Sequence, residues 1–232
     1  MFTIPREIIN RHKDNKPSYN RVYWILRDCL IDGNINIGEE KLTEEKIAEA
    51  LNVSRTPVRT AMAQLKNDGF LQNISKGRVG LNEFSIEDKK NLVESSIVLE
   101  SAAASYAAHR ATDEDIEALK EINNAIRHFH SGNRDDRNAF SGIRDLHASF
   151  HLMIAKISGN RFLYKYIVEN RNIMRMLYVE HSVTEDTYPH IIAPKHDQLI
   201  EAISQKDSEA AKIIISSEIL NTRKLYMRGY SE

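Results

Sequence analysis

The sequence predicts a mainly α-helical chain in two parts: a helix pair followed by a hairpin, and then an all-helical antiparallel bundle. Apolar residues recur at the three- and four-residue spacing of half-buried helices through most of the chain. After residue 84, no segment alternates with the period of two that is typical of strands. We therefore expect an N-terminal domain over residues 1–80, with an arm at 1–17, and a helical domain over 85–232 joined by short loops.

Composition favours a compact protein of the cytoplasm. Hydrophobic residues make up 41% of the 232 residues, and the single Cys29 excludes an intramolecular disulfide. The sequence contains no apolar run of about eighteen residues or more and no signal-type segment, which predicts no membrane association. The net charge is −1, but residues 1–80 carry 13 basic and 10 acidic side chains, whereas residues 81–232 carry 19 and 23. This segregation places the basic part where a nucleic-acid partner would bind.

The N-terminal elements follow from local signals. Residues 1–17 are polar, contain two prolines and show no sustained period, so they are interpreted as an arm. A helical stripe begins at Ser18, includes Cys29 and ends near residues 32–33. The next helix begins after Thr43, a plausible N-terminal cap.

Residues 42–69 predict two helices joined by a tight turn. Asn52 tolerates the left-handed backbone that a sharp helix end requires, and the hydroxyl of Ser54 is suited to cap the second helix. Pro57 falls in the first turn of that helix, where a missing backbone N–H costs little.

The exposed face of the second helix is predicted to contact DNA through Ser54, Arg55, Thr56 and Arg59. The two arginines are four residues apart and project from one side of the helix. Hydroxyls and backbone amides at a helix start bind phosphates, and guanidinium groups bind guanine edges in the major groove. The alternative is an ordinary helix pair with a solvated basic face.

A short hairpin is predicted from Phe70 to Leu81, with Lys76, Gly77 and Arg78 at its tip. A basic hairpin after a helix-turn-helix is the form of a DNA-binding wing. The segment VSRTPVR over 53–59, followed by AxxxLxxxGF over 61–70, resembles the recognition-helix signature of the GntR family of bacterial transcription regulators. This resemblance implies a winged helix-turn-helix that binds double-stranded operator DNA.

One position departs from that family. After Leu42-Thr43-Glu44, many members place an arginine that contacts DNA, whereas this chain has Glu45. An acidic side chain does not bind phosphate. Either the operator differs, or Lys41 or Lys46 supplies the contact.

The second domain is predicted to begin with a capping box at Ser85. The predicted helices cover residues 86–110, 113–131, 136–158, 161–182, 189–205 and 207–228.

Two histidines four residues apart, His147 and His151, lie on one face of the third bundle helix and are spaced to reach a single ion. The surrounding segment, LHASFH followed by IA and SGN, resembles the middle of the FadR-type C-terminal domain. Many members of that subgroup hold a divalent metal through an aspartate and three histidines. The resemblance implies that His151 and His196 are ligands, that His147 stands at the aspartate position, and that Glu218 stands at the position of the third histidine. The exchange leaves three imidazoles and one carboxylate for zinc, nickel or manganese. The alternative is a site that has lost its metal.

The effector site is less defined by the sequence. Members that bind organic acids often carry an arginine four residues before the glutamate of the first bundle helix, but here Ser96 precedes Glu100. Asn160 and Arg175 are candidate effector-binding residues, or alternatively a helix-start residue and a surface charge.

The sequence therefore predicts a homodimeric transcription regulator, without catalytic residues, that binds an inverted-repeat operator and responds to a small metabolite. Two other classes stay open at this stage: a helical metal-dependent hydrolase that carries a helix-turn-helix, and a sensor that acts through a protein partner without DNA.

Overall fold

The computed structural model describes residues 4–13, 18–31, 43–75, 78–82, 84–129, 137–177 and 188–226. The chain divides into two compact units, Met1–Phe84 and Ser85–Glu232. The mainly helical fold class is confirmed. Among the described helices, none is both long enough and apolar enough to cross a membrane.

The first unit contains four helices and one hairpin within the described residues. These elements are α1 (Arg6–Arg11), α2 (Ser18–Ile31), α3 (Glu44–Leu51), α4 (Arg55–Asn67), β1 (Leu71–Ser75) and β2 (Arg78–Leu81). Helix α2 packs against α4, and α3 packs against α4 as well. The antiparallel strands pair Leu71 with Leu81, with an irregularity between Asn73 and Ser75. The predicted hairpin is confirmed.

Within the predicted arm at residues 1–17, residues 6–11 form the helix α1. Ile8 is fully buried, and the imidazole Nε2 of His12 lies 2.7 Å from Oδ2 of Asp28 on α2. These contacts hold a short helix that is too short to be stable alone. The polar composition did not predict this helix, because its docking depends on one buried isoleucine and one partly buried contact between His12 and Asp28.

The local signals around the turn are mostly confirmed. Asn52 adopts the left-handed conformation with φ of 50°, and the hydroxyl of Thr43 accepts from the backbone N–H of Lys46 at 3.3 Å. Ser54 is the N-cap residue of α4, but its hydroxyl forms no capping bond, so that part of the prediction is wrong. The Ser54 side chain is instead exposed at the helix start.

The second unit is a bundle of six described helices: α5 (Ile86–Arg110), α6 (Asp113–Arg127), α7 (Arg137–Ile157), α8 (Arg161–Leu177), α9 (Tyr188–Ser204) and α10 (Ser208–Tyr226). The capping box at Ser85 is confirmed by both of its reciprocal bonds with Asp88. Helix α6 ends at Arg127 rather than at residue 131. The predicted end of α8, residues 178–182, lies outside the described residues.

The bundle core forms along α5, which packs against α7, α8, α9 and α10. Small side chains on α5, including Ala104, Ala107 and Ala108, are fully buried and let the neighbouring helices approach closely. Larger side chains from α7 and α10, such as Phe150 and Ile215, fill the same core. Several polar side chains are buried at one level of this bundle, and they form the candidate site.

Candidate metal centre and DNA-binding surface

Three imidazoles and one carboxylate converge inside the bundle. His147 and His151 come from α7, His196 from α9 and Glu218 from α10, and each side chain is nearly inaccessible to solvent. One ligand atom from each residue lies within 4.8 Å of the others. The fold thus brings together the four residues that the sequence singled out as ligands.

The ligand atoms are spaced closely around one carboxylate oxygen. Glu218 Oε1 lies 2.9 Å from Nε2 of His147, 3.2 Å from Nε2 of His151 and 3.3 Å from Nε2 of His196. Tetrahedral zinc with bonds near 2.0–2.1 Å requires ligand atoms about 3.3 Å apart. The separations from Glu218 Oε1 to the three imidazoles are close to this spacing, and all four ligand atoms lie within 4.8 Å of one another.

Residues behind the histidines fix which nitrogen faces the centre. His151 Nδ1 lies 2.7 Å from Glu100 Oε2, a carboxylate oxygen that accepts a hydrogen bond from the tautomer with its proton on Nδ1. Asn123 donates its amide N–H to the backbone oxygen of Ala193 and to Asp197, which turns its Oδ1 towards His196 Nδ1 at 3.1 Å. Both imidazoles then present an Nε2 lone pair to the centre, which is the usual arrangement behind metal-binding histidines.

The protonation states also suit a metal. Burial lowers the pKa of His147 to about 3 and lowers that of His196, so both rings are neutral near pH 7. Burial acts to raise the pKa of Glu218, but the adjacent His196 and His151 hold it well below its usual range. Metal ions bind neutral imidazole and ionised carboxylate.

His151 differs from the other two imidazoles. Burial and the charge of Arg171 act to lower its pKa, but the carboxylates of Glu218 and Glu100 outweigh them and raise it. A proton and a metal ion therefore compete for this ring.

Aromatic stacking holds the centre in place. The ring of Phe150 stacks on His196, with centroids 3.7 Å apart and an interplanar angle of 7°. His147 lies nearly parallel to His196 at 5.3 Å between ring centroids. Because Phe150 is fully buried, its ring closes one side of the centre to water.

A buried ion pair that the sequence analysis did not assign supports His151. Arg171 on α8 binds Glu100 on α5 through two bonds, Nε to Oε1 at 2.8 Å and Nη2 to Oε2 at 2.5 Å. Burial acts to raise the pKa of Glu100, but Arg171 and His151 lower it to about 2. The signal was present in the sequence: Arg171 interrupts an apolar helical stripe between Ile167 and Met174.

Asn160 and Arg175, the candidate effector residues, lie on or beside α8. Asn160 Oδ1 accepts from the backbone N–H groups of Phe162 and Leu163, so Asn160 caps α8. The side chain of Arg175 lies outside the described residues. Ser96 is fully buried, donates to the backbone oxygen of Leu92 and accepts from Asn170 at 3.3 Å.

The candidate DNA-binding face of the first unit lies at the start of α4. Ser54, Arg55, Thr56 and Arg59 are all exposed. Arg55 Nη1 lies 2.9 Å from Oε1 of Glu45 on α3. At the predicted wing tip, Lys76 and Gly77 lie outside the described residues. Arg78 begins β2, and its side chain also lies outside them.

Family models match both units. The model of bacterial regulatory proteins, gntR family, matches residues 18–80, and the FCD domain model matches residues 91–219. Together, the two matches identify a DNA-binding transcription regulator. The chain belongs to the GntR family of bacterial regulatory proteins and carries an FCD domain.

Curated relatives are similar over most of their length. The Uxu operon regulator of Haemophilus influenzae is 28% identical, with 93% of this chain and 82% of that protein covered. The uncharacterized HTH-type transcriptional regulator YdhC of Bacillus subtilis is 27% identical, with 84% of this chain and 85% of that protein covered. The solved structure of E. coli McbR/YncC has the same fold, with a TM-score of 0.76 and 19% identity over 92% of this chain and 98% of that one.

Proposed function

We propose that this regulator is a homodimer that binds an inverted-repeat operator and is switched by a small carboxylate effector at a metal site in the helical domain. The observation that carries the proposal is the convergence of three imidazole Nε2 atoms on Glu218 Oε1 inside the FCD domain. A buried set of this composition, with two imidazoles held from behind by Glu100 and Asn123, is suited to hold an ion.

The residues that would hold the metal are His147, His151, His196 and Glu218. Zinc, nickel and manganese all accept this donor set. A bound ion would supply open coordination positions for a carboxylate oxygen, which favours small organic acids and sugar acids as effectors. The protein itself would orient the imidazoles and exclude bulk water.

The DNA-binding residues would be Ser54, Arg55, Thr56 and Arg59 on α4, with Lys76, Gly77 and Arg78 at the wing. The exposed start of α4 offers backbone N–H groups to a phosphate, and the arginines are suited to base edges in the major groove. The wing would contact the DNA backbone or the minor groove.

Exposed apolar side chains on two packed helices support a dimer formed by the helical domain. Val98 is 67% exposed and Tyr106 43% on α5, while Phe162 is 59% exposed and Tyr166 48% on α8. Helices α5 and α8 pack together, so these exposed apolar side chains lie on two neighbouring helices of the bundle. A two-fold dimer would match an operator of two inverted half-sites.

Effector binding would act by population shift. An effector that binds one arrangement of the two DNA-binding units more tightly than another changes the fraction of protein able to occupy the operator. The free energy by which the effector shifts this equilibrium equals the difference between its binding free energies for the two arrangements.

Elemental analysis of the protein, purified without chelator and without nickel affinity resin, tests the metal. We expect nearly one divalent ion per chain in the wild type and its loss in Glu218→Ala. Glu209→Ala is the matched control, since Glu209 is an exposed carboxylate on the same helix. Metal-free wild type, or equal metal content in wild type and Glu218→Ala, contradicts the proposed site.

Light scattering tests the dimer. Phe162→Glu places a charge in the proposed interface and is expected to give monomers, whereas Ile213→Glu changes a side chain on α10 that is 68% exposed and is expected to leave a dimer. A monomeric wild type, or a Phe162→Glu protein that stays dimeric at low concentration, contradicts this interface.

A further inference from the structure

Two carboxylates from α3 lie beside the guanidinium of Arg55. Glu45 Oε1 is 2.9 Å from Nη1, and Glu44 Oε2 is 3.8 Å from Nη2. Both acids occupy the first turn of α3, where the positive end of the helix dipole stabilises them. Arg55 is the first residue of α4, where the same kind of dipole disfavours a cation. The carboxylates therefore offset an unfavourable helix-end position and fix the direction of the guanidinium.

The second arginine of this face is in a different environment. Arg59 is exposed one turn after Arg55, and among the described residues it forms no ion pair. No acid among the described residues lies at hydrogen-bond distance from Arg59, where it would repel an approaching phosphate. At Arg55, the same phosphate meets Glu45 and Glu44.

We propose that Glu45 is a specificity-determining residue that directs Arg55 to a base edge and away from phosphates. This inference rests on the proposed DNA-binding role of Arg55. A phosphate near the pair is repelled by the carboxylates, whereas the N7 and O6 atoms of guanine are neutral acceptors. Since a guanidinium has five N–H donors, Arg55 can keep its bond to Glu45 and still donate two bonds to guanine. A carboxylate at position 45 thus makes the same arginine selective for sequence.

The pair does not serve primarily to stabilise the fold. The Arg55 side chain is 63% exposed and that of Glu45 is 72% exposed, and ion pairs in such positions contribute little to folding. Glu45→Gln removes the charge and keeps the shape, so this variant is expected to fold like the wild type. The change isolates the effect of the carboxylate on DNA binding.

The test measures affinity for two duplexes: one selected from a randomised pool by the wild-type protein, and a scrambled duplex of the same length. Glu45→Gln is expected to bind the scrambled duplex roughly fivefold more tightly and to show a correspondingly smaller preference for the selected duplex. The plot of log affinity against log salt is expected to steepen by about 0.9, which corresponds to one added phosphate contact. Glu49→Gln is the control, because Glu49 is an exposed acid one turn later on α3.

A double-mutant cycle shows whether Glu45 acts through Arg55. In the Arg55→Ala background, the substitution Glu45→Gln is expected to leave the preference between the two duplexes unchanged. If wild type prefers the selected duplex but Glu45→Gln keeps both its preference and its salt dependence, the role of Glu45 is overturned while DNA binding stands. Equal effects of Glu49→Gln and Glu45→Gln on DNA affinity also overturn the role of Glu45, because they would show a general effect of the protein's net charge. If the wild type binds no duplex selectively, the proposed function itself fails.

Discussion

Nε2 of His147 lies 2.9 Å from Oε1 of Glu218, although the two residues are 71 positions apart in the chain. The resemblance to FadR-type domains places an aspartate at the first of these positions and a histidine at the second. Because the two side chains are in contact, exchanging an imidazole and a carboxylate between them keeps the composition of the centre. We therefore expect the two departures from the family pattern to compensate each other.

The exchange predicts the behaviour of a double variant. Glu218→His leaves four imidazoles and no carboxylate to offset the charge of a buried ion. Metal affinity is therefore expected to fall by at least about 10-fold, because even the loss of a residue that hydrogen-bonds to a ligand lowers metal affinity by that factor. Adding His147→Asp returns a carboxylate to the contacting position and is expected to restore most of the affinity. Competition with a chelating dye measures both. A double variant that binds no better than Glu218→His contradicts the compensation.

The ion pair between Glu100 and Arg171 predicts a large effect on stability. In metal-free protein, Arg171→Met leaves the carboxylate of Glu100 buried with one partner fewer and is expected to lower the free energy of unfolding by about 3–5 kcal/mol. Combining it with Glu100→Leu removes the unpaired charge and is expected to recover much of that loss. Urea unfolding with an unchanged m-value is the measurement. Equal losses in the single and double variants argue against an ion-pair origin.

The fold was largely predictable because strong local signals agreed with the packing. The capping box at Ser85 and the left-handed Asn52 mark helix ends that need no tertiary information. The docking of α1 was not predictable from its pattern, because it depends on contacts with α2 that are distant in sequence. The predicted capping bond of the Ser54 hydroxyl is absent from α4, because the N-cap position alone does not determine what the side chain binds.

The site was predictable in its ligands but not in its surroundings. His147 and His151 share a helix face by spacing alone, whereas His196 and Glu218 were assigned through the family resemblance. The supporting residues Glu100, Asn123 and Arg171 come from three different helices, and only the packing of the bundle brings them behind the histidines. Polar residues within apolar helical stripes were the available signal, but such residues do not reveal their partners.

The different roles proposed for α4 and the wing predict different losses of DNA affinity. Arg59→Ala is expected to cost about 1–3 kcal/mol on a selected duplex and to relax the preference at one base position. Lys76→Ala is expected to weaken binding to all duplexes alike and to reduce the salt slope by about 1. Fluorescence anisotropy over a salt series measures both quantities. If neither variant changes affinity for any duplex, α4 and the hairpin are not the DNA-binding surface.

The hydrogen bond between Tyr23 and Asp68 predicts a dependence of stability on alkaline pH. The Tyr23 hydroxyl donates to Asp68 Oδ2 at 2.5 Å, and burial together with this carboxylate raises the Tyr23 pKa above its ordinary value of 10.0. The folded state then keeps a proton that the unfolded chain releases, so the contribution of Tyr23 is complete below pH 10 and declines as pH rises above it. Tyr23→Phe is expected to lose about 1–2 kcal/mol at neutral pH and to show a shallower decline between about pH 10 and 11. Tyr19→Phe, at an exposed position on the same helix, is expected to keep the wild-type dependence. Urea unfolding across this pH range measures the free energy of unfolding of each protein. Identical slopes of that free energy against pH for Tyr23→Phe and wild type would mean that Tyr23 ionises equally in the folded and unfolded states.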